Sequence, residues 1–183
     1  MQEAAGSNPA SPRTEVAANS LMPMELKVGD VAPDFRCEVV GGKYGLGEFI
    51  SLADLKGAVV ILYFYPKDDT PGCTVQACGL RDGWDDLKDS ANIFGVSVDS
   101  AASHKKFIEK HQLPFPLLVD TDKQLVKSYG VWVEKSMYGK KYMGVERTTF
   151  IIDKANQISA IFRKVKPEQH VVLLRDALIK VAG

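Results

Sequence analysis

Two thiols, Cys73 and Cys78, stand in the run Pro66-Lys67-Asp68-Asp69-Thr70-Pro71-Gly72-Cys73-Thr74-Val75-Gln76-Ala77-Cys78, directly after an apolar stretch. The pattern puts Cys73 at the mouth of a helix. A helix N-terminus carries unpaired backbone N–H groups and about half a positive charge, and both favour thiolate over thiol. Cys73 is therefore a candidate reactive cysteine, and Cys78 a thiol able to capture whatever Cys73 becomes. A packing role is the alternative, since free cysteine is among the most buried residue types. Position argues against it, because a packing cysteine needs neither a helix N-terminus, nor a Thr three residues earlier, nor a nearby partner thiol.

The flanking residues supply the elements. Ala58 to Tyr65 is a continuous run of β-branched and aromatic residues between Gly57 and Pro66, the pattern of a buried central strand. Beyond the turn, Cys73, Ala77, Leu80, Trp84 and Leu87 recur at helical spacing, so the expectation is one helix with Cys73 on its inward face. Cys78 falls about 140° around that helix from Cys73, on the polar stripe with Asp82, Asp85 and Asp89. Two Cα atoms five residues apart on a regular helix are about 8.7 Å apart. A disulfide tolerates at most about 7 Å. If these two cysteines bridge, the first turns must unwind, and Pro71 and Gly72 at the entrance suit such a hinge.

Other candidate ligands are scattered. A zinc site wants four ligands in paired short spacings, whereas the chain has three cysteines and three separated histidines, His104, His111 and His170. No metal and no cofactor are expected. Each histidine stands in a charged helical or loop stretch, so a solvated surface role is expected for all three. Cys37, in an early strand pattern, is expected to be structural.

The chain as a whole fits one core: 183 residues, 45% hydrophobic and 25% charged. With 23 basic and 23 acidic residues there is no charge excess to attract nucleic acid or an anionic membrane. The longest apolar run has eight residues, far short of a membrane span. An odd cysteine count is not a secreted disulfide framework, and a soluble cytoplasmic enzyme is expected.

Residues 1–23 are rich in Gly, Ser, Asn, Pro, Ala and Thr without periodicity and are expected to form a disordered tail, with Met24 an alternative start; residues 24–183 form the expected domain. Gly41-Gly42 marks a hairpin, Ser51 to Leu55 a capped turn, and Asn92 to Val98 a second buried strand. Asp99 or Ser100 caps a helix to about His111, followed by a strand at Phe115 to Val119 and a short helix at Thr121 to Tyr129. Val145 to Ile152 and Ile158 to Arg163 read as a strand pair. Pro167 opens a last helix with Val171, Leu174, Leu178 and Val181 on one face. Alternating strands and helices followed by a strand pair and a helix indicate an α/β domain with a mixed sheet. A cysteine on the turn after a central strand makes the thioredoxin-like arrangement the natural candidate. The two-cysteine signature with two residues between is absent, however, which argues against a general dithiol–disulfide exchanger.

The chain resembles the peroxiredoxins, in particular the bacterioferritin comigratory protein or peroxiredoxin Q subfamily. Pro66, Thr70 and Cys73 meet the family's Pro, Thr, Cys spacing. Val28 to Phe35 resembles its opening, Tyr63 to Pro66 its central strand, Gly130 to Trp132 and Glu134 to Lys140 its later loop, and Arg147 to Asp153 the strand bearing its active-site arginine. The likeness covers residues 26–180. Position 76 is Gln where many peroxiredoxins carry Glu, and Gln occurs within this subfamily.

The resemblance implies a thioredoxin-like fold, a central mixed sheet flanked by helices, and a thiol-dependent peroxidase for hydrogen peroxide and organic hydroperoxides. Cys73 would attack peroxide as thiolate and become sulfenic acid. Arg147 would stabilise thiolate and peroxide, Thr70 would orient the peroxide, and Pro66 would shield the pocket. Cys78 would condense with the sulfenic acid to an intramolecular disulfide, reduced by thioredoxin or a similar dithiol. Such a bridge needs no second subunit, and a monomer is the simpler expectation. A thiol of pKa about 8.5 is about 3% ionised at pH 7, so ionisation alone gains about thirtyfold and donors at the separating oxygens must supply the rest. Bland alternatives are a surface strand arginine for Arg147, a helix cap for Thr70 and an unpartnered surface thiol for Cys78. Two other functions stay open: a protein thiol–disulfide reductase and a non-enzymatic redox sensor.

Overall fold

The computed structural model describes residues 25–182, so the expected tail and Met24 lie outside the described residues. The sheet is built around β3 (Val60–Phe64), all five of whose residues are buried, as a strand covered on both faces must be. It pairs in parallel with β4 (Asn92–Ser97), which pairs in parallel with β5 (Leu117–Val119). On the other side β3 runs antiparallel to β8 (Thr148–Ile152), and β8 to β9 (Ile158–Phe162). The hairpin of β1 (Arg36–Gly41) and β2 (Tyr44–Ser51) adds to β5, giving the order β2-β1-β5-β4-β3-β8-β9. This is the expected α/β mixed sheet.

The period-two alternation of β3 divides the core. Val60, Leu62 and Phe64 face one side, against Phe150, Ile152 and the short helix α4 (Gln124–Ser128), which supplies Leu125 and Val126. Ile61, Tyr63 and Tyr65 face the other. There they meet α1 (Pro71–Asp82), α3 (Ala101–His111) and α5 (His170–Ala182). Tyr63 lies over its cross-strand neighbour Gly95, where a Cβ would stand 2.8 Å from the phenol oxygen. The glycine makes the space that the ring fills.

Three expectations about the elements need correction. The helix expected through Leu87 stops at Asp82 and restarts as α2 (Trp84–Leu87), with Gly83 between them at φ −94° and ψ 9°. Gly83 is a weak helix former packed under α5, where a Cβ would lie 3.0 Å from Val171 Cγ1. The single strand expected over Val145 to Ile152 is two, because β7 (Lys140–Val145) pairs with β6 (Trp132–Met137) in a separate ribbon and β8 begins only at Thr148. Glu146 and Arg147 form the joint.

The histidines are the third correction. His104 and His170 are fully buried, and the His111 side chain is 17% exposed. Both buried rings occupy the inner stripe of their helices: His104 is one turn before Phe107, and His170 one turn before Leu174. Cys37, expected to be structural, is buried, its thiol donating to the Val119 carbonyl at 3.0 Å. No helix among the described residues is long and apolar enough to cross a membrane.

Candidate active site

Cys73 sits where β3 hands over to α1. Pro71 takes the first helical position, where its missing N–H costs nothing. Thr70 is the residue before the helix, and its carbonyl accepts the first helical bond from Thr74 N at 2.8 Å. Cys73 is thus in the first turn, where backbone N–H groups have no helical acceptor. The residue is 2% exposed, facing inward as its spacing predicts. Pro66 is half-buried at the start of the loop. The Thr70 hydroxyl does not cap the helix; it donates to the Lys67 carbonyl at 2.9 Å. Its lone pairs remain free to accept.

Arg147 comes from the joint before β8, the antiparallel neighbour of β3, where Thr148 pairs with Phe64. Its neighbours pin it: Glu146 N donates to Val131 O at 2.8 Å, and Val165 N donates to Arg147 O at 3.0 Å. One guanidinium nitrogen, Nη2, lies 3.4 Å from Cys73 Sγ, and the other, Nη1, donates to Gln76 Oε1 at 2.6 Å. The arginine passes over Gly72, where a Cβ would lie 3.1 Å from Nη2. Beside it opens a cleft of about 600 Å³, walled by Val133, Lys135 and Tyr142 of the β6–β7 ribbon and by Val165. Burial and the charge of Arg147 hold the Lys135 ammonium below its ordinary range.

The loop before Cys73 is fixed through Asp68. Tyr65 Oη donates to its carboxylate at 2.6 Å, Ser103 Oγ at 2.8 Å, and His104 Nδ1 lies 2.7 Å from Oδ2. His104 Nε2 lies 2.8 Å from the Leu118 carbonyl, so the ring spans from the loop to β5. Asp69, at φ 57°, accepts from Lys110 at 2.7 Å and lies 3.1 Å from His111 Nε2.

Cys78 is not at this site. It is half-buried one and a half turns along α1, and the three cysteines are free thiols. Arg81, next to it on the helix, donates to the His111 carbonyl at 2.7 Å and so ties α1 to the end of α3.

The residues brought together are Cys73, Arg147 and Gln76, to which the sequence pattern assigns no role. Gln76 is fully buried; beyond its bond to Arg147, its Nε2 lies 3.2 Å from His170 Nδ1. His170 Nε2 in turn lies 2.9 Å from Thr149 Oγ1. Gln76 stands one turn after Cys73, a spacing that could have pointed to it. His170 gave no signal beyond lying one turn before Leu174.

The AhpC/TSA family model matches residues 28–161. The chain belongs to that family. At 51% identity it resembles a putative peroxiredoxin Bcp of Coxiella burnetii, over 81% of this chain and 95% of the relative. Peroxiredoxin Bcp of Bacillus subtilis is 48% identical over 81% and 92%. Among solved structures, Xanthomonas campestris peroxiredoxin Q superposes with a TM-score of 0.75 at 35% identity, covering 81% of this chain and 92% of that one. A Xylella fastidiosa PrxQ mutant gives 0.79 at 30%, covering 87% and 99%. The fold is the peroxiredoxin version of the thioredoxin-like arrangement, and the chain is a peroxiredoxin of the Bcp and PrxQ type.

Proposed function

We propose that this peroxiredoxin reduces hydrogen peroxide and organic hydroperoxides through Cys73, with Cys78 as the resolving thiol and thioredoxin or a similar dithiol as reductant. The observation that supports it most is the 3.4 Å approach of Arg147 Nη2 to Cys73 Sγ at the N-terminus of α1, in a chain of this family. One structural relative, the X. campestris bacterioferritin comigratory protein, is described in terms of alkyl peroxide reduction.

In the first step the Cys73 thiolate attacks one peroxide oxygen, the O–O bond breaks, and the leaving oxygen departs with a proton as water or alcohol. Arg147 and the free N–H groups of the first turn are aimed at the charge that develops on the separating oxygens. Thr70, whose own proton is committed to Lys67, accepts from the peroxide O–H. Pro66, without an N–H, walls the loop side. In the second step Cys78 attacks the sulfenic sulfur, a disulfide forms and water leaves. An external dithiol then supplies two electrons and two protons and is itself oxidised. Both thiols lie on one helix, so the cycle requires no second subunit.

The test is mass spectrometry of the reduced protein after one equivalent of peroxide, with a parallel sample containing thioredoxin, its reductase and NADPH. Rapid loss of two hydrogens at a mapped Cys73–Cys78 bridge, with peroxide-dependent NADPH oxidation, is expected. Insulin reduction without peroxide consumption would replace this reading with a thiol–disulfide reductase. Oxidation without turnover would leave a redox sensor.

A further inference from the structure

The contacts behind Arg147 form a chain with only one consistent direction. An arginine has donors and no acceptor, so the group facing Nη1 at 2.6 Å must be the Gln76 oxygen. The Gln76 NH₂ then points the other way, to His170 Nδ1 at 3.2 Å. That nitrogen has to accept. The ring proton therefore sits on Nε2, which donates to Thr149 Oγ1 at 2.9 Å. Thr149 is fully buried on β8.

We propose that His170 is a positioning residue for the reaction at Cys73: by accepting from the Gln76 amide it holds the amide oxygen toward Arg147, and so sets the guanidinium beside the reactive sulfur. The inference deepens the peroxidase reading of Cys73 and rests on it. His170 touches neither the sulfur nor the peroxide, so its whole effect passes through Gln76.

The surroundings keep the imidazole in the form this needs. It is enclosed by the Tyr63 ring from β3, with centroids 5.4 Å apart, by Thr149 from β8 and by Gln76 from α1. Arg147 is the charged group that acts on it, and burial together with that charge pushes its pKa down to about 3. A proton on Nδ1 would face the Gln76 NH₂ with a second donor. The amide would then have to flip, presenting its NH₂ to a guanidinium that cannot accept.

The test compares two variants with the parent. In His170→Asn the Oδ1 atom overlays Nδ1 and can still accept from Gln76; in His170→Phe the ring remains and the acceptor is gone. Stopped-flow oxidation by hydrogen peroxide reads the full reaction, and iodoacetamide alkylation reads thiolate nucleophilicity without the arginine's action on oxygen. H170F is expected to oxidise at least about tenfold more slowly with alkylation within about twofold, and H170N to stay within about threefold of the parent. Nitrogen-15 NMR of the parent imidazole should show Nδ1 bare and Nε2 protonated from about pH 8 to about pH 5.

Equal losses in H170F and H170N, or parallel losses of oxidation and alkylation, would reduce His170 to a packing residue and overturn the proposal. So would a proton on Nδ1, a result that needs no variant to fold. A parent Cys73 inert to peroxide would instead sink the peroxidase reading and the catalytic role of His170 with it. The tautomer would still report whether His170 orients Gln76.

Discussion

Gln76 stands one turn after Cys73 on α1 and accepts a 2.6 Å hydrogen bond from Arg147, whose other guanidinium nitrogen lies 3.4 Å from the Cys73 sulfur. Cysteine, glutamine and the arginine that contacts both are thereby locked to one helical turn. A fork that contacts both partners cannot be replaced by a point charge. Arg147→Lys should lower the rate of Cys73 oxidation by about 10²- to 10³-fold, the cost of removing a donor from developing oxygen charge. Alkylation by iodoacetamide should fall far less. Equal losses would mean that Arg147 acts only on the thiol.

Gly72 offers an independent probe of the same geometry. A Cβ there would lie 3.1 Å from Arg147 Nη2 and 3.6 Å from Pro167 Cγ, so Gly72→Ala presses the guanidinium away from the sulfur. Alanine favours the helix, so global stability should hold or rise by under about 1 kcal/mol. Peroxide reactivity should drop severalfold nonetheless. A variant that keeps full reactivity would show that the arginine position tolerates displacement.

These relationships were unevenly legible in the sequence. The β3 strand and the placement of Cys73 could be read because unbroken apolar runs and helical spacing are local patterns. The joint at Arg147 could not: the run from Val145 to Ile152 is continuously strand-like, and only tertiary pairing, with β7 bound to β6 and β8 to β3, divides it. His104 and His170 were misplaced for a related reason. A charged neighbourhood describes the average of a segment, while burial is decided by one helical stripe, and the rings lie on the stripes of Phe107 and Leu174 respectively. Gln76 was visible but mute, since its partners arrive from the joint before β8 and from α5.

Reaction between Cys73 and Cys78 requires α1 to open, because a regular helix holds their Cα atoms about 8.7 Å apart. Opening also releases Gln76 from Arg147 and His170. Hydrogen exchange of the oxidised protein should show protection lost over residues 71–82, with protection kept in the reduced protein and in oxidised Cys78→Ser. The tie from Arg81 to the His111 carbonyl should make Arg81→Ala form its disulfide faster. An oxidised helix as protected as the reduced one would exclude an intrahelical bridge.

Cys37 should stay out of this chemistry. It lines an open cavity of about 350 Å³ together with Asp120, yet the residue is buried and its thiol donates to Val119 O. Burial, then the charge of Asp120, push its pKa up to about 12. At neutral pH, alkylation followed by peptide mapping should find Cys73 and Cys78 labelled, with Cys37 labelled only after denaturation. Labelling of native Cys37 at a comparable rate would contradict the raised pKa of its thiol.

His170 also makes stability depend on acid in a definite direction. Its folded pKa is held down to about 3, while an unfolded chain titrates near 6.5. Above about pH 6.5 neither state binds the proton and the group contributes no pH dependence. Below that the unfolded chain takes it up and the folded one does not, so the folding constant falls by about tenfold per pH unit until about pH 3. The carboxylates titrate over part of this range in any variant, and the contrast with H170F isolates the imidazole. Urea unfolding at about pH 7 and about pH 5 should show the parent losing about 10- to 30-fold more in folding constant than H170F, whose side chain has no proton to bind. Equal acid sensitivity would mean that the native imidazole accepts a proton in place, and Gln76 would then lack the acceptor that orients it toward Arg147.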